Sequence, residues 1–273
     1  MTQEVLADAL RQRYREVDSA TPAHWNPVLQ VLHEHRSVRT YLDTPVSDET
    51  LHLLISAAQS AATSSNLQVW SVIAVRDPAR KARLAELAGG QKHILQAPVL
   101  LVWTADFARL RQLAADHDTP LEGADYLESS YVGFIDAALA AQNAVVAAES
   151  VGLGTVYIGA LRNHPELVAA ELNLPQQVFA VFGLVVGHPD PAESARIKPR
   201  LPQAAVLHHE TYKLTEQRKH VAVYEQRIAQ FYAEERLAHS WTERVLNRLT
   251  SAASLNGRHR LREALANHGF RLV

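Results

Sequence analysis

Cysteine is absent from the 273-residue chain. With it go disulfides, thiolate nucleophiles, iron–sulfur clusters and cysteine-held zinc. An excess of either charge is also lacking: 27 Lys plus Arg stand against 29 Asp plus Glu, a formal net charge of -2. Without a global positive field to draw in a polyanion, nucleic-acid binding is not expected as the main activity. Long hydrophobic runs are missing too. No stretch offers about 18 uninterrupted apolar residues, so no membrane span is expected. The longest apolar reach, Ala137–Ala148, contains Gln142 and Asn143 and reads as a buried helix. The first residues mix acids and bases and lack the apolar centre of a secretory signal, so the expected location is the cytoplasm. The phosphate-loop, nucleophile-elbow and zinc-helix signatures are absent as well.

What is present fits a globular chain, 47% hydrophobic and 21% charged. Helices are expected over 3–18 and 26–35, separated by Ser19–Pro22. Ser47 with Thr50 forms half a capping box, and Leu51, Leu54, Ile55, Ala58 and Ala62 then repeat at helical spacing. Val69–Arg76 reads as a strand, and Asp77-Pro78 opens a helix running to about Ala88. The continuous apolar run Pro98–Trp103 predicts a strand buried on both faces. Polar residues 107–127 predict a surface excursion, and Tyr131–Val151 a helix too apolar on all sides for a surface position. A short strand ending near Ile158, a helix over 165–172, a strand over 178–187, a loop over 189–194 and an extended stretch over 198–202 follow. Beyond Gln217 the chain reads as helical, with a break at 254–257. This pattern predicts an N-terminal helical extension over 1–26 and an α+β domain over 27–273 with a helical C-terminal excursion. Too few alternating strand–helix units exist for a regular doubly wound sheet.

Three features bear on chemistry. Gly152, Gly154 and Gly159 are spaced G-x-G-x-x-x-x-G and run from helix to strand, the reverse of a dinucleotide fingerprint. A helix C-cap accounts for Gly152 and extends to Gly154; it leaves Gly159, where a glycine lets a backbone N–H approach a flat ligand. The densest histidine groups, His33 with His35 and His208 with His209, lack a helical i, i+4 pair, and no metal site is assigned. Two short basic segments are more telling. His35, Arg36, Ser37 and Arg39 form one, and Lys198 and Arg200 flank a stiffening proline in the other. With the hydroxyls of Thr63, Ser64 and Ser65 they suit a phosphate, through charge-assisted hydrogen bonds. A solvated charged face has the same pattern, and spacing alone does not separate the two.

The motifs HRSVRTYLDTPVS (35–47), AATSSNLQ (61–68), GGQKHILQAP (89–98), AAQNAVVAAESVGLGTVYIGALRN (140–163) and KPRLP (198–202) together resemble the FMN-dependent nitroreductase family. The likeness is to its branch of larger oxygen-insensitive NADPH nitroreductases and flavin reductases, and it spans about 33–240 in order. The resemblance implies a central, mostly antiparallel sheet surrounded by helices, in an intertwined homodimer with FMN at each of two interface sites. His35, Arg36, Ser37 and Arg39 would hold the FMN phosphate and one edge of the flavin. Thr63, Ser64 and Ser65, with Gln68, would reach the cofactor from the other subunit, and Gln91 would touch the ring or ribityl chain. Tyr157, Ile158 and Gly159 would place backbone groups beside the ring. Lys198 and Arg200 would bring positive charge to the pyrimidine edge and the phosphate. Ala160 and Thr63 depart from the family's usual glycine and serine, and neither change removes a group that the cofactor needs.

The implied activity is ping-pong hydride transfer from NAD(P)H through FMN to nitroaromatics, quinones or free flavins, with no catalytic side-chain pair. A flavin reductase releasing reduced FMN and a flavin-binding protein that does not turn over are the alternatives. Arg236 and Lys213 would grip the NADPH 2′-phosphate, although Glu234 and Glu235 read as a bare carboxylate pair beside that site.

Overall fold

The computed structural model describes residues 3–15, 24–193 and 195–273, and divides into two compact units. The smaller comprises Met1–Arg36 with Ala195–Ser254, the larger Ser37–Ser194 with Leu255–Val273. The expected boundary at 26/27 falls inside the smaller unit. The helical expectation for 16–18, the separator Ser19–Pro22 and Ser194 at the end of the expected loop lie outside the described residues.

The larger unit is built on a four-stranded sheet: β1 (Trp70–Val75), β2 (Val99–Asp106), β3 (Gly154–Ile158) and β4 (Val178–Gly187). Its order is β1-β2-β4-β3 and every pairing is antiparallel. The two central strands, β2 and β4, are buried almost throughout. Their largely apolar sequences, VLLVWTAD and VFAVFGLVVG, are stable only with both faces covered. One face packs on Leu84, Ala88, Ile94 and Leu161, the other on Leu54 and the alanine row Ala140, Ala141, Ala144 and Ala148. Those alanines belong to α7 (Leu127–Ser150), which α3 (Asp48–Gln59) also meets.

By length and composition alone α7 is apolar enough to cross a membrane, although Asp136, Gln142 and Asn143 interrupt its apolar run. Its buried side faces the sheet, with Asp136 among the alanines. Its other side leaves Tyr131, Ile135 and Leu139 exposed at 56%, 54% and 44%, in an i, i+4 row.

Ser47 caps α3 by accepting from Thr50 N–H at 3.1 Å, and Asp77 caps α4 (Pro78–Leu87) in the same way. Two helices were not expected. The segment 107–127 contains α6 (Ala108–Asp116), whose alternation of arginine, alanine and leucine disguises a helix with one packed edge. The GGQKHILQAP motif contains the one-turn α5 (Lys92–Gln96), too short to show a period. Gly152 has φ +81° and ends α7, as expected. Gly154 is needed for a different reason: a Cβ there would lie 2.8 Å from Val38. It therefore serves close packing and not a left-handed turn. α8 (Pro165–Glu171) and α11 (Leu261–Asn267) complete the unit.

The smaller unit contains α1 (Gln3–Tyr14), α2 (Pro27–Glu34), α9 (Gln217–Ala233) and α10 (Trp241–Leu249). Its core is Tyr224, Ile228 and Phe231, with Leu201, Tyr232 and Trp241 packed against them. α1 stops at Tyr14, and Arg15 takes φ +53°.

Among the described residues two carboxylates are lowered furthest below their ordinary range, one in each unit. Glu171 is lowered from 4.5 to about 2, chiefly by hydrogen bonds from Arg83 and then Arg80. Glu234 is lowered to about 2 by Arg15 and Arg196. Both bind fewer protons folded than unfolded, so their stabilisation is complete above about pH 4.5 and is lost as pH falls towards 2. Melting temperature should therefore decline across that window, and Glu171→Gln should flatten the decline. An unchanged profile in that variant would show that the pairs do not couple to folding.

Candidate functional site

In the larger unit the first basic segment runs beside β3. Ser37 forms a parallel bridge with Thr155, and Val38 N–H donates to Thr155 O at 3.0 Å. The buried Tyr41 hydroxyl donates to Val38 O at 2.6 Å, closing the turn. Glu193 accepts from the N–H groups of Arg39 at 3.0 Å and Thr40 at 3.2 Å. The carboxylate thus fixes the backbone and leaves the Arg39 side chain exposed. Gln91 stands at the N-cap of α5 without capping it. His93, two residues on, is held below its ordinary range by burial, and the Arg39 charge adds to this. The segment 37–39, the 89–93 motif and β3 are therefore neighbours. Tyr157 and Ile158 end β3, with the Tyr157 hydroxyl 3.4 Å from Gln142 Oε1, and Gly159 begins the next turn.

The hydroxyl cluster lies in the separate loop 63–68, which is anchored on α7. Thr63 Oγ1 donates to Asp136, which is 2% exposed, and Ser64 N–H donates to the same carboxylate at 3.2 Å. Gln68 N–H donates to Thr63 Oγ1 at 3.0 Å. The Thr63 hydroxyl is thereby used inside the loop, while Ser64, Ser65 and Gln68 are exposed. Ser65, Asn66 and Gln68 all have positive φ, 48°, 55° and 51°. Such strain in non-glycine residues costs of order 1–3 kcal/mol each and persists only where the surroundings impose it. Asp136 imposes it from one side and Arg109 of α6 from the other, donating to Gln68 O at 3.1 Å. Asp136 and Gln142, which anchor this loop and Tyr157 respectively, are about 9 Å apart along α7.

In the smaller unit His35 is the C-cap of α2, and Arg36 follows it, exposed. Arg36 shares a cavity of about 420 Å³ with Gln12, Arg15, Glu34, Arg196 and Phe231. The second basic segment alternates as expected of an extended stretch: Lys198 exposed, Pro199 buried, Arg200 exposed. Pro199 O accepts from the Tyr224 hydroxyl at 3.3 Å, and Lys198 Nζ lies 5.3 Å from the Tyr232 ring centre.

Glu234 and Glu235 are not the bare pair that the sequence suggests. Arg15 meets Glu234 at 2.6 Å, and Arg196 meets Glu234 at 2.7 Å and Glu235 at 3.0 Å. Arg236, in the turn after α9 with φ +58°, and Lys213, before α9, are both exposed.

Asp136, Glu193, Arg109 and His93, which hold or adjoin the candidate segments, escaped sequence reasoning. Only Asp136 left a signal, as the single acid within the apolar face of a long helix. Each unit by itself offers groups of the kind that a flavin mononucleotide takes, guanidiniums in both and hydroxyls in the larger. Among the described residues Arg36, Arg39 and Arg200 are exposed guanidiniums outside every ion pair, and Ser64 and Ser65 offer exposed hydroxyls.

The chain matches the Nitroreductase family over residues 32–92 and 86–188, and the family's C-terminal domain over 198–273. It is 47% identical over 208 residues to the FMN reductase [NAD(P)H] of Bacillus subtilis, covering 76% of this chain and 83% of that one. It is 41% identical over 207 residues to the oxygen-insensitive NADPH nitroreductase of Salmonella typhimurium, with the same coverage. Among solved structures, the hypothetical oxidoreductase YcnD from Bacillus subtilis superposes with a TM-score of 0.87 at 40% identity, over 91% of this chain and 99% of that one. The antiparallel sheet, the ordered motifs and these matches agree: the chain belongs to the nitroreductase family.

Proposed function

We propose that the chain is an NAD(P)H-dependent FMN oxidoreductase that acts as a homodimer. The observation that carries this is the match to the Nitroreductase family, within whose matched segments Arg36, Arg39 and Arg200 are exposed and outside every ion pair among the described residues. FMN, when bound, supplies the hydride chemistry.

The side chains bind and orient. His35, Arg36, Ser37, Lys198 and Arg200 hold the phosphate and one edge of the flavin, and Arg39 and Lys198 favour negative charge on the pyrimidine edge. Tyr157, Ile158 and Gly159 present backbone to the ring, and Gln91 reaches the ring or ribityl chain. Ser64, Ser65 and Gln68 contribute from the partner subunit on a loop that Thr63 and Asp136 hold in shape. The exposed row Tyr131, Ile135 and Leu139 supports the dimer, because an apolar stripe of this kind marks an interaction surface. Cytoplasmic NAD(P)H is the electron source.

Nitroaromatics, quinones and free flavins are the acceptors. Both B. subtilis and S. typhimurium relatives fit this reading, one named for FMN reduction and the other for nitro reduction. Steady-state oxidation of NADPH with a nitrofuran, and separately with free FMN, distinguishes the two roles. No oxidation above background with either acceptor, or with a quinone, would leave only a flavin-binding protein.

Arg236 and Lys213 grip the 2′-phosphate of NADPH. Neutralisation of Glu234 and Glu235 by Arg15 and Arg196 removes the repulsion that would oppose it. Arg236→Ala should raise KM for NADPH about fivefold, the size of an exposed charge contact, and leave KM for NADH unchanged. Equal changes for both donors would place the phosphate elsewhere.

A further inference from the structure

The N-terminal helix carries an arginine that reaches both basic segments of the smaller unit. Arg13 is 8% exposed, on the same helix as the buried Ala9 and Leu10. One guanidinium nitrogen donates to Lys198 O at 3.0 Å. The other donates to His33 O at 2.9 Å and His35 O at 2.8 Å. The Arg13 carbonyl in turn accepts from Arg200 N–H at 2.9 Å. One residue thus holds four backbone groups, two on each of the segments 33–35 and 198–200.

The physical chemistry favours this arrangement. His33 O belongs to the last turn of α2, where carbonyls lack helical partners and the helix dipole places negative charge. A buried cation there satisfies orphan acceptors and gains from the dipole. The guanidinium's flat fork suits several acceptors at fixed angles better than a lysine ammonium does. Chain positions also matter: α1 lies before residue 32, where the family match begins.

We propose that Arg13 is a positioning residue for FMN, fixing the spacing of His35 and Arg36 against Lys198 and Arg200. The proposal rests on the reading that these two segments bind the FMN phosphate. A clamp on their backbones aligns phosphate donors without touching the cofactor. Its loss should therefore be felt by FMN and not by riboflavin, which has no phosphate.

The test is equilibrium dialysis of the full-length holoenzyme against FMN, and in parallel against riboflavin. It is run below the melting temperature of each variant. Arg13→Ala should weaken FMN by about tenfold or more, as expected for losing charge-assisted hydrogen bonds that order the site, with riboflavin unchanged. Arg13→Lys, which keeps the charge but not the fork, should fold and fall between Arg13→Ala and wild type. It keeps the test valid if the alanine variant fails to fold. Arg200→Ala serves as the control for the underlying reading. FMN affinity unchanged in folded Arg13 variants but lowered in Arg200→Ala would overturn the positioning role alone. Unchanged affinity in both would overturn the phosphate reading as well. Equal weakening of FMN and riboflavin would reduce Arg13 to a general support of the fold and contradict the proposal.

Discussion

Replacing Arg200 by alanine is expected to weaken FMN binding by about 10–150-fold, because a hydrogen bond to a charged group contributes roughly 1.5–3 kcal/mol. Arg36→Ala should act in the same direction. Arg200 is exposed and outside every ion pair among the described residues, so its removal strands no buried carboxylate. Its backbone N–H stays bonded to Arg13 O whatever the side chain, so the segment keeps its path. The loss should therefore fall on the ligand and not on folding. Riboflavin affinity should hardly change in either variant. Fluorescence titration with both flavins decides the matter: unchanged FMN affinity in both variants would mean that the phosphate is bound elsewhere.

A second large effect is expected at the outer face of α7. Ile135→Glu should convert the proposed dimer into monomers that no longer retain FMN. Tyr131, Ile135 and Leu139 together present three large side chains to solvent in the single chain. Burying each against a partner contributes about 1.5–3 kcal/mol, and two-fold symmetry counts every contact twice. An unpaired carboxylate in the middle of such a surface costs several kcal/mol per copy. Ile135 points away from the alanine row that packs on the sheet, so the monomer should stay folded. Light scattering should move from twice 30.2 kDa to that mass itself, with flavin lost in the same fractions. A variant that remains dimeric, or a monomer that keeps full FMN, would contradict this use of the helix.

The sheet and the long helix were legible because burial writes itself into composition. The runs 98–103 and 178–187 are apolar throughout, and both became strands, the first extending to Asp106. Asp77-Pro78 and Ser47 announced helix starts because capping is a local interaction. α6 was hidden because its surface is largely polar, so no apolar period stood out over 108–116. The candidate ligands were readable from the family motifs, whereas the residues that hold those ligands in place were not. Asp136 meets Thr63 across 73 positions, and Glu193 meets Arg39 across 154. Arg13 meets Lys198 across 185. Such contacts depend on topology, and no spacing rule contains them. The charges of Glu234 and Glu235 were misjudged for the same reason, since Arg15 and Arg196 are remote in sequence.

The absorption spectrum of the purified protein, taken without oxygen before and after one equivalent of NADPH, tests the central claim most directly. The account predicts a yellow protein with about one non-covalent FMN per chain, whose visible bands bleach on adding NADPH and return on adding a nitrofuran or a quinone. A colourless protein that takes up no added FMN would contradict it, as would bound flavin that neither NADPH nor NADH can bleach.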